Sequence, residues 1–302
     1  MKERVRVSYG PPFSQLLVLS LNIYSQIERT IKTMKKKYGW KPQKKDARDL
    51  KIEHLAAIKK IPLGAPLPVV ANNRFYCSQV KNQGDLGSCT ANAWTSLLEY
   101  DECQNGRGGK LFNFMSRLFV YYNERVIENT VSQDSGAELR DGAKAIANQG
   151  VCIETEWPYI ISQFTVQPTA QCYTDAKANI IHSYYSLDGS SSAETLQNLK
   201  TCLAAGQCFV FGFQVYSSFE SDEVTNTGVM PMPDTTTEQL LGGHAVMAIG
   251  YNDAQQRFLV KNSWGMDWGL PNPKYRGYFT MLYDFISNPN MASDFWTVVK
   301  DV

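Results

Sequence analysis

The chain has 302 residues, of which 43% are hydrophobic and 20% charged, and a formal net charge of +1. This length and apolar content are typical of one large globular domain or two small ones, and they exclude a disordered or fibrous protein. A net charge so close to zero argues against nucleic acid as a partner.

The N-terminal segment differs in charge from the rest of the chain and predicts a basic arm. Of the 30 basic and 29 acidic residues of the whole chain, residues 1–70 contain 15 and 5, and residues 71–302 contain 15 and 24. We therefore expect the arm to be attracted to an acidic body. Acid should release it, because basic partners lower the pKa of carboxylates and the stabilisation fades as the pH falls through the lowered values.

Within the arm, Phe13–Lys37 predicts a helix, because apolar residues recur at spacings of three and four. The apolar stretch Leu16–Leu21 follows basic residues and leaves a signal peptide as an alternative, although it is too short to span a membrane. Lys32–Lys37 leaves a membrane-surface helix as another alternative, but such runs are more often solvated, and we expect no membrane contact. Lys59–Pro68 predicts a linker in which activation cleavage would occur.

The stretch Gln83–Trp94 predicts a cysteine nucleophile at the start of a buried helix. Two glycines favour a tight turn, Ser88 is a good N-cap residue, and apolar residues follow at helical spacing. Cys89 would lie in the first turn, where the helix dipole favours the thiolate over the thiol. Gln83 is near enough to direct its side-chain amide at the same point. A buried core cysteine is the plain alternative.

Beyond this helix, residues 67–180 predict a mainly helical half, with helices at Leu111–Glu128 and Glu138–Asn148. Residues 181–302 predict mostly strand, including Phe209–Tyr216 and Gly277–Tyr283.

A predicted hairpin in the second half brings two further polar side chains together. Residues 242–265 contain two apolar runs that flank a five-residue loop. If the loop is centred on Asp253, His244 and Asn262 face each other across the strands. A core histidine and a strand-end asparagine are the plain alternatives. Together with Cys89, however, the pair supplies a base and an orienting group for an activated thiol.

These motifs resemble the papain-like (cathepsin-type) cysteine peptidases of family C1, in the family's order and over roughly residues 67–285. The matching pieces are Val80–Gly84, Gly87–Cys89, His244–Val246 and Lys261–Gly269. Three further pieces resemble the bacterial and viral, xylellain-like branch, namely Gly39–Pro42, Leu86–Ala93 and Gly150–Tyr159.

The resemblance implies an α+β fold of two lobes, with a helical left lobe, an antiparallel β-barrel-like right lobe and the active-site cleft between them. It implies an N-terminal pro-segment (residues 1–66) that covers the cleft as an intramolecular inhibitor, and a peptidase domain (residues 67–302) that cleaves protein or peptide substrates.

The resemblance also implies the roles of the site residues. Cys89 would attack the peptide carbonyl, His244 would carry the proton, and Asn262 would orient the imidazole. Gln83 would help to hold the oxyanion, where each donor contributes about 3 kcal/mol. Trp264 would border the substrate site and shield the contact between His244 and Asn262 from water.

The expected substrate contacts rest on position alone. Ser135 and Gly136 take the place of the paired glycines that bind substrate backbone in the family, with a serine replacing one of them. Gly243 and Ala245 flank the histidine in the cleft, and Gly212 and Ala245 leave room for a bulky apolar side chain. Among the departures from the family pattern, Thr90 replaces the usual aromatic residue after the nucleophile.

The remaining cysteines and histidines bear on compartment and cofactors. Besides Cys89 there are six cysteines, and we prefer the local disulfides Cys152–Cys172 and Cys202–Cys208 among the fifteen connectivities. This favours a secreted, lysosome-like or virion-associated protein over one in the reducing cytosol. With three His and no Cys-x-x-Cys motif, we expect no metal and no cofactor.

Two functions of other classes stay open. One is another Cys-His acyl transferase, which usually has Asp where this chain has Asn262. The other is a catalytically silent papain-like binding protein, against which the retention of all four site residues argues.

Overall fold

The computed structural model describes residues 36–104 and 113–299. The predicted helix Phe13–Lys37 falls outside this range except for its last two residues, which are not helical. From Lys37 onward the chain forms one compact unit, so the second half of the expected arm packs with the rest of the chain. No helix among the described residues has the length and apolarity needed to cross a membrane.

The described residues contain eight α-helices, five of them before residue 180. The α-helices are α1 (Ile52–Lys59), α2 (Cys89–Gln104), α3 (Arg117–Ile127), α4 (Leu139–Gln149), α5 (Ala170–Ala176), α6 (Ser192–Ala204), α7 (Asp222–Thr227) and α8 (Tyr283–Ile286). Short 3-10 helices lie at Arg74–Tyr76, Ile161–Gln163, Lys177–Asn179, Ser217–Glu220 and Pro273–Tyr275.

Helix α3 begins six residues after its predicted start. The Ser116 hydroxyl accepts a hydrogen bond from the Phe119 N–H at 3.1 Å and so caps the helix there. Just before the cap, Met115 forms a β-bridge with Ile153. The apolar pattern therefore predicts too long a helix, because it also includes Met115, which lies in extended chain before the cap.

The second lobe is built on an antiparallel sheet. Its strands are β1 (Val70–Asn72), β2 (Ser183–Ser186), β3 (Phe209–Tyr216), β4 (Leu240–Asn252), β5 (Arg257–Lys261), β6 (Tyr278–Leu282) and β7 (Ala292–Val299). The order is β2-β7-β3-β4-β5-β6, and β1 also pairs with β4. The predicted α+β class is confirmed, although helices α6 to α8 lie in the half for which we expected mostly strand.

The hairpin of β4 and β5 exists, but its predicted register is wrong. Asn252 pairs with Arg257, so the loop has four residues and is not centred on Asp253. A register shift between Ala248 and Gly250 displaces the pairing further. Because β5 ends at Lys261, Asn262 has no partner on β4, and His244 pairs across to Phe213 on β3 instead.

A buried network of charged and hydroxyl groups joins the two lobes. Glu99 of α2 is fully buried and forms an ion pair with Lys81. Ser78 donates to the second Glu99 carboxylate oxygen at 2.5 Å and accepts from Lys261 Nζ of β5 at 2.9 Å. Lys261 also donates to Ser96 at 3.3 Å, and burial lowers its pKa to about 8. One carboxylate thus balances two lysines that come from different parts of the fold.

We expect Glu99→Gln to destabilise the protein by about 3–5 kcal/mol, because it leaves both lysines buried without their carboxylate. The free energy of unfolding, measured by chemical denaturation, tests this. Glu102→Gln on the same helix is the matched control and should change the value by less than about 0.5 kcal/mol. Equal stability of the two variants would show that the network does not stabilise the fold.

Candidate active site

Cys89 is the first residue of α2, at the end of a tight turn. The turn is held by the Gly87 N–H, which donates to Asp134 Oδ1 at 2.9 Å. The Ser88 hydroxyl lies 2.5 Å from the Tyr159 hydroxyl and accepts from the Asn92 side-chain amide at 3.1 Å. The predicted position of the cysteine, at a helix N-terminus, therefore agrees with the structure.

The Cys89 side chain is fully buried, and its thiol is held protonated. Burial raises the Cys89 pKa to about 12, although backbone hydrogen bonds at Ala245, Gly39 and Thr90 act in the opposite direction. The expected stabilisation of the thiolate by the helix dipole is thus outweighed, because the covering chain removes water from the sulfur.

His244 of β4 is held by two neighbours, Asn262 and Trp264. Its Nε2 is 2.8 Å from Asn262 Oδ1. Its ring stacks on Trp264, with 4.9 Å between centroids and 30° between planes. The Cys89 sulfur hydrogen-bonds the backbone of Ala245, the residue that follows His244, so it lies against the part of β4 that carries the imidazole. The predicted contact between His244 and Asn262 is present, but strand pairing does not produce it.

The Gln83 side chain is oriented by hydrogen bonds at both of its ends. Its Oε1 accepts from the Ser263 hydroxyl at 2.6 Å. Its Nε2 donates to the Leu86 carbonyl at 3.0 Å and to the Lys37 carbonyl at 3.1 Å. Since Ser263 follows Asn262, the amide is held in place by the same loop that orients the histidine.

Residues Lys37–Lys41, the cleft segment, lie across this site as an extended chain. The Gly39 carbonyl accepts from the Ala137 N–H at 2.7 Å, and the last N–H of the segment donates to the Ala137 carbonyl at 3.1 Å. On the opposite side, the Trp40 N–H donates to the Gly243 carbonyl at 2.9 Å. The segment is thus bound through its backbone to both lobes.

Glycines allow this close approach. A Cβ at Gly39 would lie 1.7 Å from the Gly87 carbonyl oxygen, and one at Gly136 would lie 2.1 Å from the Gly39 carbonyl oxygen. Of the two residues expected to bind substrate backbone here, Gly136 faces the segment. Ser135 hydrogen-bonds within its own loop, where its hydroxyl contacts Thr130 Oγ1 at 2.8 Å.

Two side chains of the cleft segment bind acids that sequence reasoning missed. The Trp40 indole lies over Gly212 and donates to Asp294 Oδ2 at 2.9 Å. The Tyr38 hydroxyl donates to Glu220. The resemblance of Gly39–Pro42 to the xylellain-like branch, and the space expected at Gly212, were the only signals in the sequence.

The pKa of Asp294 is raised overall, although its contacts with the arm lower it. Burial raises it to about 7, and the nearby Asp188 adds to the shift. We expected arm residues to lower the pKa of body carboxylates. Both arm contacts of Asp294, the Gln43 N–H and the Trp40 indole, do lower its pKa, but burial outweighs them.

Thr90, which stands where the family usually has an aromatic residue, donates to Glu124 Oε2 at 2.7 Å. Glu124 is fully buried, and burial raises its pKa well above the usual value. A polar contact therefore lies at the residue that follows Cys89.

All seven cysteines are free in this structure, so the two predicted disulfides are not confirmed, although the Cys152 and Cys172 side chains contact each other. The Cys202 thiol points to the Gln207 carbonyl at 3.3 Å, and the Cys172 thiol contacts Thr169 Oγ1 at 3.1 Å. Burial raises the pKa of Cys202 to about 12 and also raises that of Cys152. Buried thiols of this kind are not reactive. Across the described residues, no group of His, Cys, Asp and Glu could hold a metal ion.

Comparisons with known proteins agree with this geometry. The family described as Papain family cysteine protease matches residues 69–298. An uncharacterised peptidase C1-like protein of Acanthamoeba polyphaga mimivirus is 39% identical over 282 residues, which cover 88% of each chain. The crystal structure of xylellain, a cysteine protease from Xylella fastidiosa, is similar with a TM-score of 0.74 and 35% identity. That match covers 89% of this chain and 100% of xylellain.

A more distant structure shares the fold. Digestive procathepsin L 3 of Tenebrio molitor has a TM-score of 0.60 at 18% identity, over 97% of this chain and 94% of the other.

We expect Trp40→Ala to expose Cys89, because the indole anchors the segment that covers it. In the full chain, the rate of alkylation of Cys89 by iodoacetamide should rise at least about tenfold, as measured by mass spectrometry of the peptides. Cys103 is half-buried and serves as the internal control, with the same rate in both proteins. An unchanged rate at Cys89 would mean that Trp40 does not hold the cleft segment in place.

Proposed function

The chain belongs to the papain family of cysteine proteases, and we propose that it hydrolyses peptide bonds with Cys89, His244, Asn262 and Gln83. We further propose that it is made as a precursor, in which the cleft segment keeps the enzyme latent. A cleft that binds extended peptide backbone suits a protein or peptide substrate.

The observation that carries this proposal is the cleft segment itself. It is a peptide bound through backbone hydrogen bonds to both lobes, directly over the Cys89 thiol. One of its carbonyls, that of Lys37, accepts a hydrogen bond from the Gln83 amide. This is the donor expected to stabilise an oxyanion, and it already binds a peptide carbonyl.

In the proposed reaction, Cys89 transfers its proton to His244, and the sulfur attacks the carbonyl carbon of the substrate. The Gln83 side chain and the Cys89 N–H bind the oxyanion as it forms. The C–N bond then breaks, and His244 gives its proton to the leaving amine. Water, deprotonated by His244, hydrolyses the thioester and regenerates the thiol. Asn262 accepts from His244 Nε2–H, which leaves the other ring nitrogen to face the sulfur.

Latency follows from the same contacts. The segment fills the place of substrate and keeps water from Cys89, and the resulting burial raises the thiol pKa to about 12. Departure of the segment reverses that burial, so the thiol can ionise beside His244. The cleft segment thus blocks the substrate site and also suppresses ionisation of the Cys89 thiol.

The proposal is tested on the full chain by peptide hydrolysis before and after removal of the arm by limited proteolysis. We expect little activity before removal, and none at any stage for Cys89→Ala. Gln83→Ala should lower kcat/KM of the activated enzyme by about 100- to 1,000-fold, because one oxyanion donor is lost.

The matched control is Gln79→Ala, which changes an exposed glutamine of the same segment and should leave kcat/KM within about twofold. Failure of an epoxide inhibitor of papain-like enzymes to label Cys89 in the arm-free protein would contradict the proposal and favour a silent binding protein.

The release of the cleft segment should be faster at alkaline pH. Asp294 has a pKa of about 7 in the closed form, raised from the ordinary value near 3.9. Its contribution to the closed form is therefore fully present below the ordinary value and is lost as the pH rises through 7. The charged neighbours of Asp294 are Asp188, which adds to the shift, and Arg140, which opposes it.

The measurement is the rate of Cys89 alkylation in the parent relative to Asp294→Asn, since this ratio cancels the ionisation of the thiol. We expect this ratio to be smallest at pH 5 and to rise at least severalfold by pH 8.5, as Asp294 loses its proton in the closed form. A ratio that stays constant with pH would contradict the role of Asp294 in closure.

A further inference from the structure

We propose that Tyr159 is a positioning residue of the peptidase, whose hydroxyl joins Gln83 to Ser88 and so sets the spacing of the two oxyanion donors. This inference rests on the proposed peptidase function, in which those donors are the Gln83 side chain and the Cys89 N–H. Tyr159 belongs to Gly150–Tyr159, a stretch to which the proposed function assigns no role.

The Tyr159 hydroxyl contacts both ends of the turn that leads to the nucleophile. It donates to the Gln83 backbone carbonyl at 2.9 Å and lies 2.5 Å from the Ser88 hydroxyl. Because the single phenol proton goes to Gln83, Ser88 is the donor in the second hydrogen bond. Burial raises the pKa of Tyr159 to about 12, so the phenol keeps this proton at neutral pH. One oxygen atom thus connects the two ends of the turn.

The first end of this connection fixes the Gln83 main chain. The Gln83 N–H donates to the Ser263 carbonyl at 2.9 Å, and the Gln83 carbonyl accepts from Tyr159. With both backbone groups bound, the Cα from which the Gln83 side chain extends is held on either side. The position of the side-chain amide, the first oxyanion donor, therefore depends on the Tyr159 hydroxyl.

The second end fixes the peptide unit that carries the other donor. The Asn92 side-chain amide donates to the Ser88 hydroxyl at 3.1 Å and to the Ser88 carbonyl at 3.0 Å. That carbonyl shares a peptide plane with the Cys89 N–H, so these bonds orient the N–H as well. Gln83, Ser88 and Asn92 are each at most 1% exposed, and buried hydrogen bonds in series strengthen one another.

Arg117, the first residue of α3, holds the Tyr159 ring against the turn. Its guanidinium lies over the ring, with 3.8 Å between Cζ and the ring centroid, and donates to the Asn82 carbonyl at 3.1 Å. Glu154 accepts two further hydrogen bonds from it, at 2.6 and 2.9 Å. Since Glu154 and Tyr159 belong to the same stretch of chain, the guanidinium binds this stretch to the residue before Gln83.

The Tyr159 hydroxyl should affect the transition state more than substrate binding. The two donors bind negative charge that forms on the carbonyl oxygen only during the reaction, so their spacing matters little to the bound substrate. The connection consists of Asn92, Ser88, Tyr159 and Gln83. Its loss should therefore leave the thiol and the imidazole as they are.

The experiment compares the parent with Tyr159→Phe, each made as the full chain and activated by removal of the arm. The variant keeps the ring over Arg117 and loses the hydroxyl. For a dipeptidyl aminomethylcoumarin cleaved by the parent, we expect kcat to fall at least about tenfold, with KM within about twofold. The rate of alkylation of Cys89 by iodoacetamide should stay within about twofold, because this displacement of iodide forms no oxyanion.

The matched control is Tyr173→Phe, which removes another half-buried phenol hydroxyl, one that donates to Asn123 Oδ1 at 3.0 Å. It should leave kcat/KM within about twofold, as a surface change would. An unchanged kcat in Tyr159→Phe would overturn the assignment. So would an equal loss in both variants, or a loss matched by slower alkylation of Cys89, since either would reflect general damage to the structure.

A second measurement shows whether Tyr159 acts through the pair of donors. In a Gln83→Ala background only the Cys89 N–H remains, so the spacing of two donors no longer matters. Tyr159→Phe should then lower kcat/KM by less than about twofold. If the effects of the two substitutions multiply, Tyr159 acts by another route and the assignment is overturned.

If Tyr159→Phe does not fold, Ser88→Ala breaks the connection at its other end. It should lower kcat severalfold without slowing the alkylation of Cys89. An unchanged kcat would overturn the assignment.

If the activated parent cleaves no peptide, the proposed peptidase function fails, and binding of acetyl-Phe-glycine nitrile tests the positioning role separately. The Cys89 S–H adds across the C≡N bond: an S–C bond forms, one C–N π bond breaks, and the thiol proton moves to the nitrogen. That nitrogen takes the place of the oxyanion. Weaker binding by Tyr159→Phe than by the parent supports the assignment, and equal binding overturns it.

Discussion

The contact between the N-terminus of α2 and strand β4 is the constraint on which the rest of the site depends. It places the Cys89 sulfur, from the helical lobe, beside the backbone of Ala245 and thus beside His244. Ten residues further along α2, Glu99 binds Lys81 and, through Ser78, reaches a lysine of β5. Buried charges add little stability, but they tolerate few alternative arrangements. Such a network fixes one orientation of the lobes, and with it the geometry of sulfur and imidazole.

The cleft segment exploits this fixed geometry. Its backbone bonds to Ala137 and Gly243 would form with nearly any extended peptide, because they involve no side chain. The particular sequence of the segment is recognised through Tyr38 and Trp40, which donate hydrogen bonds to Glu220 and Asp294. The backbone contacts suit any extended peptide, and the two side-chain contacts favour this particular segment.

The sequence predicted features that are encoded locally and missed those formed by distant residues. Strand β3 has its predicted bounds, and the nucleophile helix starts where glycine, serine and apolar spacing indicated. The contact of His244 with Asn262 was predicted from a wrong register; it forms because Asn262 lies just beyond the end of β5. Trp40 and Asp294 are separated by 254 positions, and no local pattern records such a pair.

The covalent tether explains how a segment with few side-chain contacts can stay in the cleft. While the segment is part of the chain, its effective concentration is of the order of millimolar, so even weak binding keeps the cleft closed. Cleavage after α1 would remove this advantage, and the segment would then have to compete at its own affinity. In the proposed precursor, Trp40 therefore needs only a modest affinity for its site, and the segment can leave once the tether is cut.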